Sequence, residues 1–464
     1  MIGLIGLVGL LVAQPDTIAI TDVTLIDGTD GPPRAGMTVL VRSGTITQVV
    51  PARAAAIPDG ATRVEGRGRF LIPGLVDAHV HLATRPDVTP ELVLPTLVAH
   101  GVLAVRDMGG ELDRVLAMRQ AVQDGTLAGP AIVTPGPFLD GAQERTAIVL
   151  PVTTAAEAEA AVRALAARKV DFLKVQAGLT AEAWRAIVGA SRGAGLTVAG
   201  HVPEAMSAFD VVTGGQRSVE HVSPALPGDA ALMIAVSRDE PALRAALRDP
   251  SIDVRRRLIE SIDPARQAAL FTEMREHDVT AVPTMVWSAG LLPRGPDDVP
   301  APEVTALVPR ASRTRWLERR RTALAKATDD QLALNKAIAE ASRQFVGAMH
   351  RAGVAIAAGT DAFDSFLPLG PSLHAELEQL VAAGMSPKQA LIAGTREAAR
   401  LSGFATSRGT IAVGKAGDLV LLDADPIADI TAVGRINAVI HRGHVLDRAA
   451  LDGMLERARD LAGR

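Results

Sequence analysis

The chain has 464 residues, 48% of them hydrophobic and 22% charged, with a formal net charge of −4. That is long enough for one large core and a second, smaller one, and no basic block marks a nucleic-acid partner. There is no cysteine, so disulfides and thiolate metal sites are excluded and any metal must be held by nitrogen and oxygen ligands.

Residues 1–13 are almost entirely apolar. The run is too short to span a bilayer. It reads as the hydrophobic part of a signal segment, residues 1–14, with Leu11-Val12-Ala13 offering a small residue for cleavage but no basic start. Glycines at positions 3, 6 and 9 would weaken the alternative, a core strand. The expectation is a periplasmic or secreted protein with no stable membrane anchor after signal removal; retention of the segment would instead mean a cytoplasmic one.

From 17 to about 72 the β-like runs Ile18-Ala19-Ile20, Val23-Thr24-Leu25-Ile26, Thr38-Val39-Leu40-Val41 and Ile46-Thr47-Gln48-Val49 are punctuated by the turn signals Asp27-Gly28 and Ser43-Gly44. The C-terminal stretch has the same character. Gly409-Thr410-Ile411-Ala412-Val413-Gly414 leads into Asp418-Leu419-Val420-Leu421-Leu422, then Ile436-Asn437-Ala438-Val439-Ile440 and Arg442-Gly443-His444-Val445-Leu446. Each half alone would leave an open sheet edge, which predicts a small composite β-sandwich domain from residues 15–73 and 405–464.

Between them, over 74–404, eight apolar, β-rich runs recur at 75–82, 101–108, 131–138, 172–177, 197–202, 218–222, 279–286 and 354–361. Helix-period segments such as 155–168, 181–192 and 372–383 separate most of them. Repeated strand and helix predict an α/β fold, a (β/α)8 TIM barrel. The connections 223–278 and 287–351 are long, charged and mostly helical in pattern, the second opening with a Gly/Pro/Asp stretch at 290–302. Long connections at this rim are where a lid or substrate-recognition loop would sit.

Four short strings place metal-binding side chains at the ends of these runs: Asp77-Ala78-His79-Val80-His81, Gly200-His201, Glu220-His221 and Gly359-Thr360-Asp361. Strand alternation points Asp77, His79 and His81 the same way. His201 and His221 each end a short apolar run, and Asp361 ends the eighth. A lone His-x-His is more often a pair of exposed histidines. Five such residues at the same relative position in different strands describe a metal site at the C-terminal rim of a barrel. Lys174, in Asp171-Phe172-Leu173-Lys174-Val175-Gln176, shares parity with Phe172 and Gln176. The ordinary reading is a snorkelling strand-end lysine. If it faces the interior, burial favours a neutral amine, which can add carbon dioxide to become a carbamate able to bridge two metal ions.

With these strings on the page the chain resembles the amidohydrolase superfamily, and within it the group of imidazolonepropionases, Xaa-Pro dipeptidases and related amidases. The resemblance runs over nearly the whole chain. It includes Phe70-Leu71-Ile72-Pro73-Gly74-Leu75-Val76-Asp77-Ala78-His79-Val80-His81, Val105-Arg106-Asp107-Met108-Gly109-Gly110, Gly359-Thr360-Asp361, Leu373-His374-Ala375-Glu376-Leu377-Glu378 and Gly414-Lys415-Ala416-Gly417-Asp418-Leu419-Val420. It implies a binuclear site: His79, His81 and Asp361 on one divalent ion, His201 and His221 on the other, and carbamylated Lys174 with a hydroxide bridging them. Asp361 would also orient the hydroxide, take its proton and pass it to the leaving amine. Zinc suits such ligands best, with manganese, cobalt and iron as alternatives.

Candidates for holding a substrate carboxylate are Arg106, Arg145 and Arg217, and His374 could line the pocket. The ordinary readings are a structural ion pair for Arg106 with Asp107, surface charges for Arg145 and Arg217, and a structural role for His374 and Glu376. His100, His277, His350 and His441 are given no role. Related dipeptidases use a tyrosine and an arginine for the substrate carboxylate, whereas this chain has no tyrosine. The loop Gly136-Pro137-Phe138-Leu139-Asp140-Gly141 also lacks the Gly-Gly-His-Gly type of sequence found in several relatives. The function expected is metal-dependent hydrolysis of a carbon–nitrogen amide bond in a small molecule: an N-acyl amino acid, a dipeptide or a cyclic amide. Ester or lactone hydrolysis by the same site, and a catalytically inactive metal- or solute-binding barrel, are the alternatives. The partner is a small-molecule substrate, with assembly into a homo-oligomer left open.

Overall fold

The computed structural model describes residues 17–246, 248–249, 251–293, 301–364 and 366–464. The expected signal segment and part of the 290–302 stretch lie outside the described residues.

Both ends of the chain contribute to one eight-stranded mixed sheet. Its order is His444–Asp447, Ile436–His441, Leu419–Leu422, Phe70–Pro73, Thr17–Leu25, Arg34–Arg42 and Thr45–Pro51, with Thr62–Glu65 also pairing along Thr17–Leu25. The two ends meet where Leu419–Leu422 runs antiparallel to Phe70–Pro73. Strand alternation covers both faces. Leu71, Leu419, Leu421, Ala438 and Ile440 join Ile18, Ile20, Val39 and Val41 in one core, while Ile72, Val420, Leu422 and Val439 join the large core of the molecule. The two first β-like runs are a single strand. A register shift between Ile20 and Val23 brings Asp22 to φ +57. This bulge keeps Ile18, Ile20, Val23 and Leu25 all in the smaller core, where an unbroken two-residue period would turn Val23 outward. The 409–414 run is not a strand; it touches the sheet through Gly414 N–H to Ile46 O at 2.9 Å, and Ile411 N–H donates to Asp27 O beyond the first strand at 2.9 Å. Arg442 and Gly443 are both at positive φ and form a turn, so the last strand starts at His444.

The middle of the chain forms two parallel sheets. Leu75–Val80, Val102–Asp107 and Ala131–Val133 make the smaller. Val149–Pro151, Phe138–Asp140, Leu173–Val175, Val198–Gly200, Gln216–Glu220 and Thr280–Val282 make the larger. The third expected run is split because Pro135 and Pro137 have no N–H for the ladder. Its first half pairs with Val102–Asp107 and its second half with Leu173–Val175. The seventh ends at Val282, before Pro283 and the helix Met285–Leu291. The eighth, 354–361, forms bridges rather than a strand. Ala281 pairs with Ile356 and Val80 with Ala362, and Ala78 N–H donates to Ala358 O at 2.9 Å. It thereby spans from the last strand of the larger sheet to the first strand of the smaller.

The expected helices are present as Ala155–Ala167, Ala181–Ala194 and Pro371–Ala382. Thr154 and Glu157 form a capping box on the first. The two long connections are helical, ending in Pro264–Glu276 and Asp329–Arg351. The last helix, Arg448–Gly463, places Leu451, Met454 and Ala458 in the large core beside Leu94 and Leu97 of Pro90–Ala99. Among the described residues no helix is long and apolar enough to cross a membrane.

Asp418 ties the layers together. Its buried carboxylate accepts from His441 Nδ1 at 2.8 Å and Arg408 Nε at 2.9 Å, and His441 Nε2 reaches Gly129 O at 2.9 Å. Burial would raise the Asp418 pKa, but His441 and Arg408 outweigh it and hold the carboxyl below its ordinary value. Its contribution to stability is thus complete above the ordinary carboxyl range, and is lost as pH falls through the depressed folded value. Asp418→Ala is expected to cost roughly 3 kcal/mol at neutral pH, with a smaller loss in acid, measured by denaturant unfolding across pH.

Candidate metal centre

Five backbone features deliver the side chains. Asp77 accepts from His79 N at 3.1 Å, Thr360 N at 3.1 Å and Thr360 Oγ1 at 2.8 Å. It thereby clamps the 359–361 turn to the first strand, and burial raises its pKa to about 7. Asp361 N–H in turn donates to His79 O at 2.8 Å. Gly359 permits this approach, since a Cβ there would stand 2.6 Å from Val282 Cγ1 and 2.8 Å from His79 Cβ. Gly200, at φ +135, does the same against Val175 O, with a virtual Cβ at 2.1 Å. His221 and Asp361 sit in the left-handed region, at φ +66 and +59, so each side chain leaves its strand at an abrupt turn.

Five of the six expected residues fall into two adjacent groups. His79, His81 and Asp361 offer ligand atoms within 4.8 Å of one another, and so do His201, His221 and Asp229. Asp361 Oδ1 lies 3.0 Å from His81 Nε2 and 3.3 Å from His79 Nε2. The imidazoles form a continuous row, with ring centroids 5.4 Å apart for His81 and His79, 4.9 Å for His79 and His221, and 4.8 Å for His221 and His201. Lys174 is 1% exposed and its Nζ has no hydrogen-bond partner among the described residues. Burial lowers its pKa to about 8, so the neutral amine is within reach near physiological pH.

Three rings have their outer nitrogen held. His79 Nδ1 faces Glu220 Oε2 at 2.9 Å, His81 Nδ1 faces Gly109 O at 2.8 Å, and His221 Nδ1 faces Thr284 Oγ1 at 2.7 Å. With the proton on Nδ1, each Nε2 lone pair points to the centre, as a metal ligand requires. Burial pushes the imidazolium of His221 down to about 3 and that of His201 well below its ordinary value. Burial also works to raise Asp361, but His79, His81 and His221 outweigh it and keep the carboxylate ionised. Neutral imidazoles and an ionised carboxylate are the ligand forms of these groups.

The candidates for substrate recognition are placed elsewhere. Arg106 is buried and donates to Glu220 Oε1 at 3.2 Å and Ser218 Oγ at 2.9 Å, with its guanidinium 4.7 Å from the Phe172 ring centre. It is a structural ion pair, but with Glu220; Asp107 instead accepts from Leu82 N–H and Thr134 Oγ1. Arg217 is paired at the surface with Asp278. Arg145 is exposed. His374 bonds through Nε2 to His100 O at 2.9 Å and packs on the His100 ring, which ties the end of Pro90–Ala99 to Pro371–Ala382. Glu376 accepts from Met285 N–H and Val286 N–H at the start of Met285–Leu291. Sequence reasoning missed Glu220, Thr284 and Asp229, and the two rings that wall the site, Phe138 beside His81 and Trp287 beside His221. A glutamate inside an apolar strand run was a usable signal for Glu220; Asp229, in the turn Pro227–Asp229, carried none.

The model of the Amidohydrolase family matches residues 70–446. The chain belongs to the amidohydrolase family. A structure from Bifidobacterium longum, provisionally described as a prolidase, superposes with a TM-score of 0.69 at 26% identity, over 96% of this chain and 99% of that one. A bottromycin amidohydrolase gives 0.75 at 24% identity, over 97% and 92%. A Xaa-Pro dipeptidase with bound methionine gives 0.66 at 19%, over 93% and 100%. Two curated adenine deaminases match shorter stretches. That of Paracoccus denitrificans (strain Pd 1222) is 30% identical over 97 residues, 20% of this chain and 16% of its own length. That of Rubrobacter xylanophilus is 31% identical over 110 residues, 23% and 17%. The chain thus matches well under two thirds of either relative's length.

Outer-shell acceptors of metal-bound histidines typically contribute 10–100-fold to affinity or activity. Glu220→Gln removes the charge facing His79 and Arg106 and is expected to weaken divalent-ion binding by roughly that factor, measured by competition with a chromophoric chelator.

Proposed function

We propose that this member of the amidohydrolase family is a metal-dependent hydrolase. It cleaves a carbon–nitrogen amide bond of a small molecule at a two-ion site on the C-terminal rim of a (β/α)8 barrel. The observation that carries the reading is the meeting of two trios, each of two histidines and a carboxylate, with a buried lysine amine that has no partner. Among the described residues Lys174 Nζ and Asp229 Oδ2 are buried without a hydrogen-bond partner. Leaving such groups unsatisfied costs about 1–3 kcal/mol each, a cost that ligation would remove. The donor set of imidazole and carboxylate suits zinc, with carbon dioxide carried as a carbamate on Lys174.

His79, His81 and Asp361 would hold one ion and His201 and His221 the other, with the Lys174 carbamate between them. Two bound divalent ions supply a water whose pKa is brought near neutrality and polarise the substrate carbonyl. The residues do the rest. Glu220 and Thr284 keep the His79 and His221 rings in the ligating tautomer. Asp361 accepts a proton from the attacking water and returns it to the leaving nitrogen, which would otherwise depart as an unstable amide anion. Phe138 and Trp287 close the sides of the histidine row and limit access of bulk water. N-acyl amino acids, dipeptides and cyclic amides fit this chemistry, and the prolidase and amidohydrolase names of the structural neighbours support an amide substrate. The absence of tyrosine removes the hydroxyl that related dipeptidases place on the substrate carboxylate, so any such carboxylate must be held differently.

The reading is tested with native protein against panels of these amides and of esters and lactones. Elemental analysis is expected to find about two divalent ions per chain, and exhaustive chelation to abolish turnover until metal is returned. Full activity without metal would sink the proposal, and turnover confined to esters or lactones would move it to the other bond class. Asp361→Asn is expected to lower kcat by about 10²-fold or more; a change within about twofold would leave Asp361 with ligation alone. Lys174→Ala is expected to lose most activity and regain part of it with short carboxylic acids, and wild-type turnover in this variant would remove the carbamate from the mechanism.

A further inference from the structure

Asp229 lies outside the set of six residues assigned above, yet it is built into the same centre. It is 3% exposed, and its Oδ2 is buried with no hydrogen-bond partner among the described residues. One of its carboxylate oxygens lies within 4.8 Å of ligand nitrogens of both His201 and His221. An aspartate before a helix usually caps it. The helix that follows, Ala231–Ala235, has Ala230 at its cap position and takes no side-chain bond. Among the described residues Asp229 forms no ion pair, and the positive charge that acts on it is that of Lys174 in the same centre.

The turn that carries it is fixed from both sides. Asp229 O accepts from Ser223 N–H and Asp229 N–H donates to Leu226 O, each at 3.2 Å. Gly228 abuts His201, where a Cβ would come within 3.0 Å of Nδ1. The backbone therefore holds the carboxylate beside the one histidine of the four whose outer nitrogen has no acceptor among the described residues. Charge argues the same way. Two divalent ions bring four positive charges into a buried space, and Asp361 with a lysine carbamate supplies two negative ones. Glu220 is already spent on Arg106. A buried imbalance of this kind is costly unless it is paired.

Building on the two-ion reading above, we infer that Asp229 is a protein ligand of the ion held by His201 and His221. Each ion then has two histidines and one aspartate of its own, and the carbamate adds to both sets rather than being the sole anionic ligand of the second.

The test compares zinc-loaded wild type with Asp229→Asn and Asp229→Ala. Metal content is measured after dialysis against a weak chelator, stepwise zinc affinity by chelator competition, and melting temperature with and without zinc. Cobalt-substituted protein gives the ligand-field spectrum of the second site. Both variants are expected to retain about one ion and to lose more affinity at the second step than the roughly 10–100-fold that an outer-shell change costs, with an altered cobalt spectrum. Metal-free, they are expected to melt no lower than metal-free wild type, because the uncompensated buried carboxylate is gone; zinc should stabilise them less. Two ions held with unchanged affinity and an unchanged cobalt spectrum would overturn the assignment. So would unchanged metal binding with a raised KM only for substrates bearing a free amine, which would make Asp229 a substrate contact. A wild type that binds no metal would instead overturn the reading on which this one rests.

Discussion

The buried carboxylate of Glu220 is the constraint on which the interior depends. It faces His79 Nδ1 from Leu75–Val80, Arg106 from Val102–Asp107 and Ser218 from its own strand. Burial alone would drive it neutral, yet Arg106 and His79 outweigh burial and hold it ionised. Removing one partner of such a pair leaves a charge stranded, at a cost of about 3–5 kcal/mol. The pair also crosses from the smaller parallel sheet to the larger, so joining the two sheets and orienting the His79 imidazole are one event. This is why the arginine that looked available for a substrate is inside the scaffold: it acts on chemistry only through Glu220 and His79.

Strand ends do the second part of the work. In a regular strand neighbours point to opposite faces, so Glu220 and His221 could not both serve one centre. The left-handed turn at His221 resolves this. Glu220 stays in the strand and meets His79, while the His221 ring swings to 4.9 Å from the same ring. Thr284, also left-handed at φ +45, supplies the oxygen that holds His221. With Asp361, three non-glycine residues at this rim occupy a conformation costing of order 1–3 kcal/mol each. Such strain persists only where packing and hydrogen bonds over-determine it, as the Asp77–Thr360 and His221–Thr284 bonds do.

These features explain what was legible in the sequence. Histidines and an aspartate at the ends of apolar runs could be read because strand period and chemistry agree there; His79, His81, His201, His221 and Asp361 fall into two adjacent groups, with buried Lys174 near enough to act on His201 and Asp361. The composite sheet could be read from matching β-character at both ends. Its bulge at Asp22 could not, because a one-residue shift leaves composition unchanged and alters only which face each side chain takes. Arg106 was assigned to its chain neighbour Asp107 when its partner is 114 residues away, a distance that no local pattern encodes. Asp229 was invisible for a related reason: it sits in a short turn with neither strand nor helix period, and only the folded backbone brings it to His201.

The two trios with Lys174 suit one type of chemistry, and the two long helical connections lie where they could govern what reaches it. The second of them, 287–351, is coupled to the centre at two points. Trp287, in the first turn of Met285–Leu291, packs 5.2 Å from the His221 ring. The Glu376 carboxylate holds that same turn through the Met285 and Val286 N–H groups. Further along, Trp316 of Arg310–Lys326 stacks on Phe363 at 5.0 Å and Phe366 at 5.5 Å, in the segment that directly follows Asp361. A substrate that displaced this helix would therefore move the turn carrying Asp361, and one that displaced Trp287 would press on the His221 ring. Selectivity and ligand geometry share the same aromatic contacts. Changes in this connection that alter the substrate should then alter metal binding as well, even though no residue of Arg310–Lys326 is a ligand.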